Sequence, residues 1–274
     1  VIELNRRDFL KKLGIGATGL ALSGTLLSLS SCANNDQGTE DSQDIDYVAI
    51  RVSSDVYKSS LLQRFAFVVF KNEEHLSSET LTISLKKPDG SVEKINNVKP
   101  RSTGLKTQGI YSFETSFAEA GQYEMTSNYK DKKISLAFNV AETNLAPGLD
   151  TQALKTISPT TADPKDAKIL CTRFEGECGL HQSSIADYLA LNEPLIVMFA
   201  TPARCQTSYC GPVLELLKNE LITNKINAVH IEIYKDETSP TTLDAVTEWG
   251  LPSEPWLFAI DKTGKIVKRL DGAF

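Results

Sequence analysis

Apolar and polar positions alternate with a period of two through residues 47–141, in short runs: Tyr47–Val52, Phe65–Phe70, Leu81–Leu85, Val92–Ile95, Tyr111–Ser116, Tyr123–Ser127 and Ile134–Val140. Alternation of this kind places apolar side chains on one face of a half-buried strand. Pro88-Asp89-Gly90 and Lys130-Asp131-Lys132 supply turn chemistry between neighbouring runs. About seven short strands with regular turns predict an all-β sandwich.

The period changes further on. Residues 142–168 contain Pro147, Pro159, Pro164 and many small polar residues, and predict a linker. From Ile169 the chain reads as a second domain, 169–274. Ser184–Leu191 fits a short helix and Leu195–Phe199 a buried strand. Tyr209–Ile222 carries a helical stripe at Val213, Leu214, Leu216, Leu217 and Leu221. Ala228–Ile233 reads as a strand, and Leu243–Trp249 as a helix ended by Gly250-Leu251-Pro252. Trp256–Ile260 and Ile266–Leu270 form a hairpin across Asp261-Lys262-Thr263-Gly264.

The first 46 residues fit neither pattern. Asn5-Arg6-Arg7-Asp8-Phe9-Leu10-Lys11 resembles the twin-arginine export motif. Gly14 to Leu29 then runs without a charge. A short apolar segment behind a basic head predicts a signal peptide, residues 1–31, rather than a spanning helix. Leu29-Ser30-Ser31-Cys32 resembles the bacterial lipobox, which implies that Cys32 is acylated and becomes the new N-terminus. The polar, acidic stretch that follows, to residue 46, predicts a flexible tether from the lipid bilayer. The expected location is therefore extracytoplasmic, in a bacterial cell envelope, held by lipid. Because Val1 is not methionine, the chain is also expected to be a fragment or to begin at an unusual start.

Composition narrows the function classes. An apolar fraction of 41% and a charged fraction of 23% are those of a globular protein. A net charge of −6 leaves no basic footprint, so nucleic acid is not an expected partner. The chain shows no Ser-His-Asp grouping, paired carboxylate site, phosphate loop or HExxH motif. No cofactor and no resident metal are expected.

Two family resemblances add to this. Ala120-Gly121-Gln122-Tyr123-Glu124-Met125 resembles the tyrosine-corner segment of immunoglobulin-like domains, with Met125 at the usual cysteine position. Residues 169–274 resemble the membrane-anchored, extracytoplasmic thioredoxin-like family. Phe199-Ala200-Thr201 stands before a cysteine-bearing loop, and Ser253-Glu254-Pro255-Trp256-Leu257-Phe258 resembles the strand that family opens with a cis-proline. Lys262-Thr263-Gly264-Lys265-Ile266 is similar to its hairpin, and Asp271-Gly272-Ala273 to the turn after it. The expected fold class is thus two domains: an immunoglobulin-like sandwich, then an α/β thioredoxin-like domain with a central mixed sheet and flanking helices. The resemblance implies a cis Pro255 packed beside Cys205 and shaping a substrate groove. It also implies a last helix beyond Phe274.

The family's Cys-x2-Cys is Cys205-x4-Cys210 here. Positions five apart on one helix diverge by about 140° and about 7.5 Å, while a disulfide needs Cα atoms within about 7 Å. If the two pair, Cys205 lies in a loop and Cys210 at the helix start, where Gly211-Pro212 are tolerated. Cys205 is then the nucleophile and Cys210 the resolving thiol. Setting aside Cys32, four of the five cysteines remain. The economical pairing is Cys171–Cys178 as a structural staple and Cys205–Cys210, with a crossed pairing as the rival.

Two functional readings follow: thiol–disulfide exchange with extracytoplasmic protein thiols or disulfides, or a non-catalytic surface protein with a fixed disulfide. His181 and His230, expected as scaffold histidines, leave room for a third. This is copper delivery of the Sco type, whose members are similar in pairing two cysteines with a distant histidine.

Overall fold

The computed structural model describes residues 47–72, 74–105, 109–205 and 209–274. The expected signal peptide, acylated Cys32 and tether lie outside the described residues.

Phe65-Ala66-Phe67-Val68-Val69 is apolar on both alternating sets, and the strand that contains it is buried on both faces. This strand, β2 (Ser59–Lys71), pairs antiparallel with β1 (Tyr47–Arg51), with the two-residue β3 (Glu74–His75) and with β7 (Ile110–Phe117). β7 pairs in turn with β6 (Pro100–Arg101). A second antiparallel sheet has the order β5 (Val92–Val98), β4 (Leu81–Lys86), β8 (Gly121–Tyr129) and β9 (Lys132–Val140). Phe65, Phe67 and Val69 join Ile83, Leu85, Met125, Phe138 and their neighbours in the core between these sheets. The other face of β2, Ala66 and Val68, belongs to a different cluster, with Met198, Tyr209, Cys210, Val213 and Leu214.

The third sheet runs β11 (Asn227–Ile231), β10 (Leu195–Phe199), β12 (Trp256–Ile260) and β13 (Ile266–Asp271). Only the β10–β11 pair is parallel. On one face Val197, Phe199, Trp256 and Phe258 pack with Trp249, Val246 and Ile185. Three helices occur among the described residues: α1 (Ile185–Ala190), α2 (Cys210–Asn224) and α3 (Asp244–Glu248).

The expected fold class does not stand. The described residues are mostly β, in three sheets, rather than a sandwich followed by an α/β thioredoxin-like domain with flanking helices. The helical stripes at Ser184–Leu191 and Leu243–Trp249 yield only 6 and 5 residues of helix, and α2, with 15, is the one long helix described. The remaining cover comes from non-helical chain and from the first sheet. Ala146, Ala153 and Ala167, within the expected linker, are buried in the core of the third sheet. Ala153 N–H donates to Gly264 O, and Asp150 N–H to Ile266 O.

Side chains tie the first sheet to the third. Asp55 and Arg269 form a buried ion pair at 2.7 Å, and Asp55 also accepts from Leu145 and Ala146 N–H. The Arg269 guanidinium lies over Trp256 and Tyr57. Arg64 donates to the carbonyls of Asp271 and Ala273. Burial, opposed by the nearby Asp271 charge, lowers its pKa to about 10, so it remains cationic at neutral pH. All described residues belong to one compact unit.

Candidate functional site

Strand β10 ends at Phe199 and α2 begins at Cys210. Tyr209, the residue before α2, makes no side-chain capping bond. The first backbone N–H of the helix, that of Cys210, points instead at the Cys205 sulfur, 3.1 Å away. Helix N-termini present unpaired N–H groups and positive potential, both of which favour a thiolate. Cys205 and Cys210 are bonded in a disulfide with Cα atoms 5.7 Å apart. Cys205 is half-buried, and Cys210 is fully buried.

The sequence did not single out the third member of this group. The Glu254–Pro255 bond is cis, and Glu254 is buried with one carboxylate oxygen 3.5 Å from Cys210 Sγ. That oxygen also accepts from Thr201 N–H at 3.1 Å. Pro255, expected to line a substrate groove, is itself buried, and its carbonyl accepts from Gly272 N–H. An open cleft of about 290 Å³ instead lies beside the disulfide segment, lined by Thr172, Arg173, Phe174, Pro202, Ala203 and Gly211. Phe174 at its rim is fully exposed. Arg173 pairs with Glu215 of α2, and Thr172 Oγ1 accepts from Ala203 N–H, so both walls of the cleft are held. Arg204, next to Cys205, donates to the carbonyls of Asp236 and Ser239 and lies over the Tyr234 ring.

Cys171 and Cys178 are not the small-loop disulfide expected of them. Both are free thiols. Their sulfurs share a cluster with ring nitrogens of His181 and His230, all these atoms lying within 4.8 Å of one another. Cys178 Sγ is 3.1 Å from His181 Nε2 and 3.4 Å from His230 Nδ1. The Cys178 hydrogen bond and the two histidines depress the Cys171 thiol pKa. The same bond, with burial, raises that of Cys178. Burial lowers the His230 pKa, but the Cys171 sulfur and the charge of Glu232 outweigh it and leave it raised. Burial raises Glu232, against the opposing effects of His230 and of hydrogen bonds from Thr172.

Two sequence signals bear on this cluster. Cys178-x2-His181 is a ligand-like spacing, and the alternation of β11 puts His230 on the face opposite Val229 and Ile231. No protein-family model and no curated protein matches this chain. Among the described residues no helix is long and apolar enough to cross a membrane.

Proposed function

We propose that the protein exchanges disulfides with other proteins through Cys205 and Cys210, outside the cytoplasm and tethered to a membrane by acylated Cys32. The observation that carries this reading is the asymmetry of the pair. The sulfur of half-buried Cys205 receives a helix N-terminal N–H, and that of fully buried Cys210 lies against a buried carboxylate.

In the reduced protein, Cys205 thiolate attacks a partner disulfide. One partner sulfur leaves as a thiolate, and the other is joined to Cys205. Cys210 thiol then passes its proton to Glu254 and attacks Cys205 Sγ. The second partner sulfur leaves, and the Cys205–Cys210 bond is restored. The partner has gained two electrons and the protein has lost two. Every step is reversible, so the direction follows the partner's potential. The cleft bounded by Phe174 and Ala203 offers an extended peptide an aromatic and apolar surface, with Ala203 two residues before Cys205 and Gly211 next to Cys210 in its lining.

Substitution of the resolving thiol tests the roles. With Cys210→Ser, a partner held by disulfide at Cys205 accumulates and is released by dithiothreitol. With Cys205→Ser, nothing accumulates. Equal trapping by the two variants, or none by either, contradicts the assignment and favours the fixed-disulfide reading.

A further inference from the structure

Four potential ligands converge about His230: Cys171, Cys178, His181 and His230 itself. The geometry points to a closed tetrahedral zinc site built from these four side chains. It is independent of the exchange chemistry assigned to Cys205 and Cys210.

The tautomer of His230 is set by its surroundings. Its Nε2 is 2.9 Å from Ala200 O, and a carbonyl can only accept, so Nε2 carries the hydrogen. In the neutral ring Nδ1 then holds a lone pair, and Nδ1 is the atom that faces Cys178 Sγ. A histidine donating its far N–H to a backbone carbonyl is the usual outer support of a metal ligand. Zn–S bonds of about 2.3 Å and Zn–N bonds of about 2.0–2.1 Å place sulfur and nitrogen about 3.5 Å apart along a tetrahedral edge. The two sulfur–nitrogen distances here, 3.1 and 3.4 Å, come near that edge.

The backbone around each ligand is fixed independently of a metal. His230 N–H donates to Leu180 O, and Thr161 N–H to His181 O. Thr172, beside Cys171, donates through both its N–H and its hydroxyl to Glu232, two residues past His230. Cys178, His181 and His230 are buried and Cys171 is half-buried, so an ion has an approach from one side.

Charge and softness favour zinc. Two thiolates balance one divalent cation, so the loaded centre is neutral in a buried location. Loading displaces the protons that the ligand groups carry, which are released to solvent. An N2S2 donor set suits Zn²⁺ and leaves no position open for water, which makes the site structural. It would fasten residues 171–181 to β11 and so support the cleft beside the disulfide through Arg173 and Thr172.

The test uses the full chain, purified under mild reduction and titrated with Zn²⁺ against a chromophoric chelator. One equivalent is expected. Cobalt substituted for zinc is expected to give the visible bands and sulfur-to-metal charge transfer of a tetrahedral thiolate site. Cys171→Ser, at the half-exposed edge, should weaken binding by at least about 10²-fold. His181→Asn should weaken it likewise, with the far-ultraviolet circular dichroism unchanged. The double variant Cys205→Ser/Cys210→Ser should bind zinc like the parent, which separates this site from the exchange site. The assignment is overturned by a folded protein that takes up no zinc. It is also overturned by one that binds Cu(I) but not zinc, or by a Cys171–Cys178 disulfide in the chain as purified.

Discussion

In the proposed exchange chemistry Glu254 is the residue on which most turns, because a buried resolving thiol must lose a proton before it can attack. Its carboxylate is the acidic group placed 3.5 Å from Cys210 Sγ. Glu254→Gln keeps the Thr201 acceptor and removes the proton acceptor. The expected result in stopped-flow is unchanged attack by Cys205 and a resolving step slowed by about 10²-fold, the usual scale of positioned acid–base help. Equal slowing of both steps would point to a structural role. This residue was not legible in the sequence, since it lies 44 positions from Cys210 and meets it only when β12 pairs with β10. The helix start at Cys210 was legible, because Gly and Pro fit a first turn and fit poorly further in. The small-loop disulfide expected from sequence fails for the same reason that Glu254 cannot be read there. Cys171 and Cys178 are close in sequence, but their environment is set by His230, from a strand 52 residues beyond Cys178.

At the scale of elements, β2 shows what periodicity can and cannot decide. Its apolar run predicts a strand, but a run that lacks polar positions does not say what covers the second face. Phe65 packs against Phe67, Phe113, Phe117 and Phe138 on one side, while Ala66 and Val68 on the other meet the cluster containing α2. Phe65→Ala should cost about 3–5 kcal/mol in urea unfolding. A cost below about 1 kcal/mol would mean that the sheets are not packed as described. The expected α/β layer failed at this scale as well. Short amphipathic stretches at 184–191 and 243–249 suggest helices able to cover a sheet, but each forms less than two turns. The covering is completed by Ala146, Ala153 and Ala167 in chain without regular structure, where there is no period to read.

Across the whole molecule, Asp55, Arg64, Arg269 and Asp271 join the first sheet to the third through hydrogen bonds 207 or more residues apart in sequence. Asp55 is buried and serves an ion pair and two backbone N–H groups at once. Asp55→Ala leaves Arg269 buried without its partner, and should cost about 3–5 kcal/mol. If the sheets unfold as one, circular dichroism and tryptophan fluorescence will report a single shifted transition; two separated transitions would argue against a shared unit. Seating of the third sheet bears on the proposed exchange because it fixes the spacing between the head of α2 and Glu254.

The most direct measurement is the reduction potential of the Cys205–Cys210 bond in the full chain, by equilibration with glutathione or dithiothreitol and mass-spectrometric counting of alkylated thiols. The account predicts a value between about −270 and −120 mV, the range of proteins that trade disulfides. A value below about −300 mV would contradict it and mark the bond as a permanent staple.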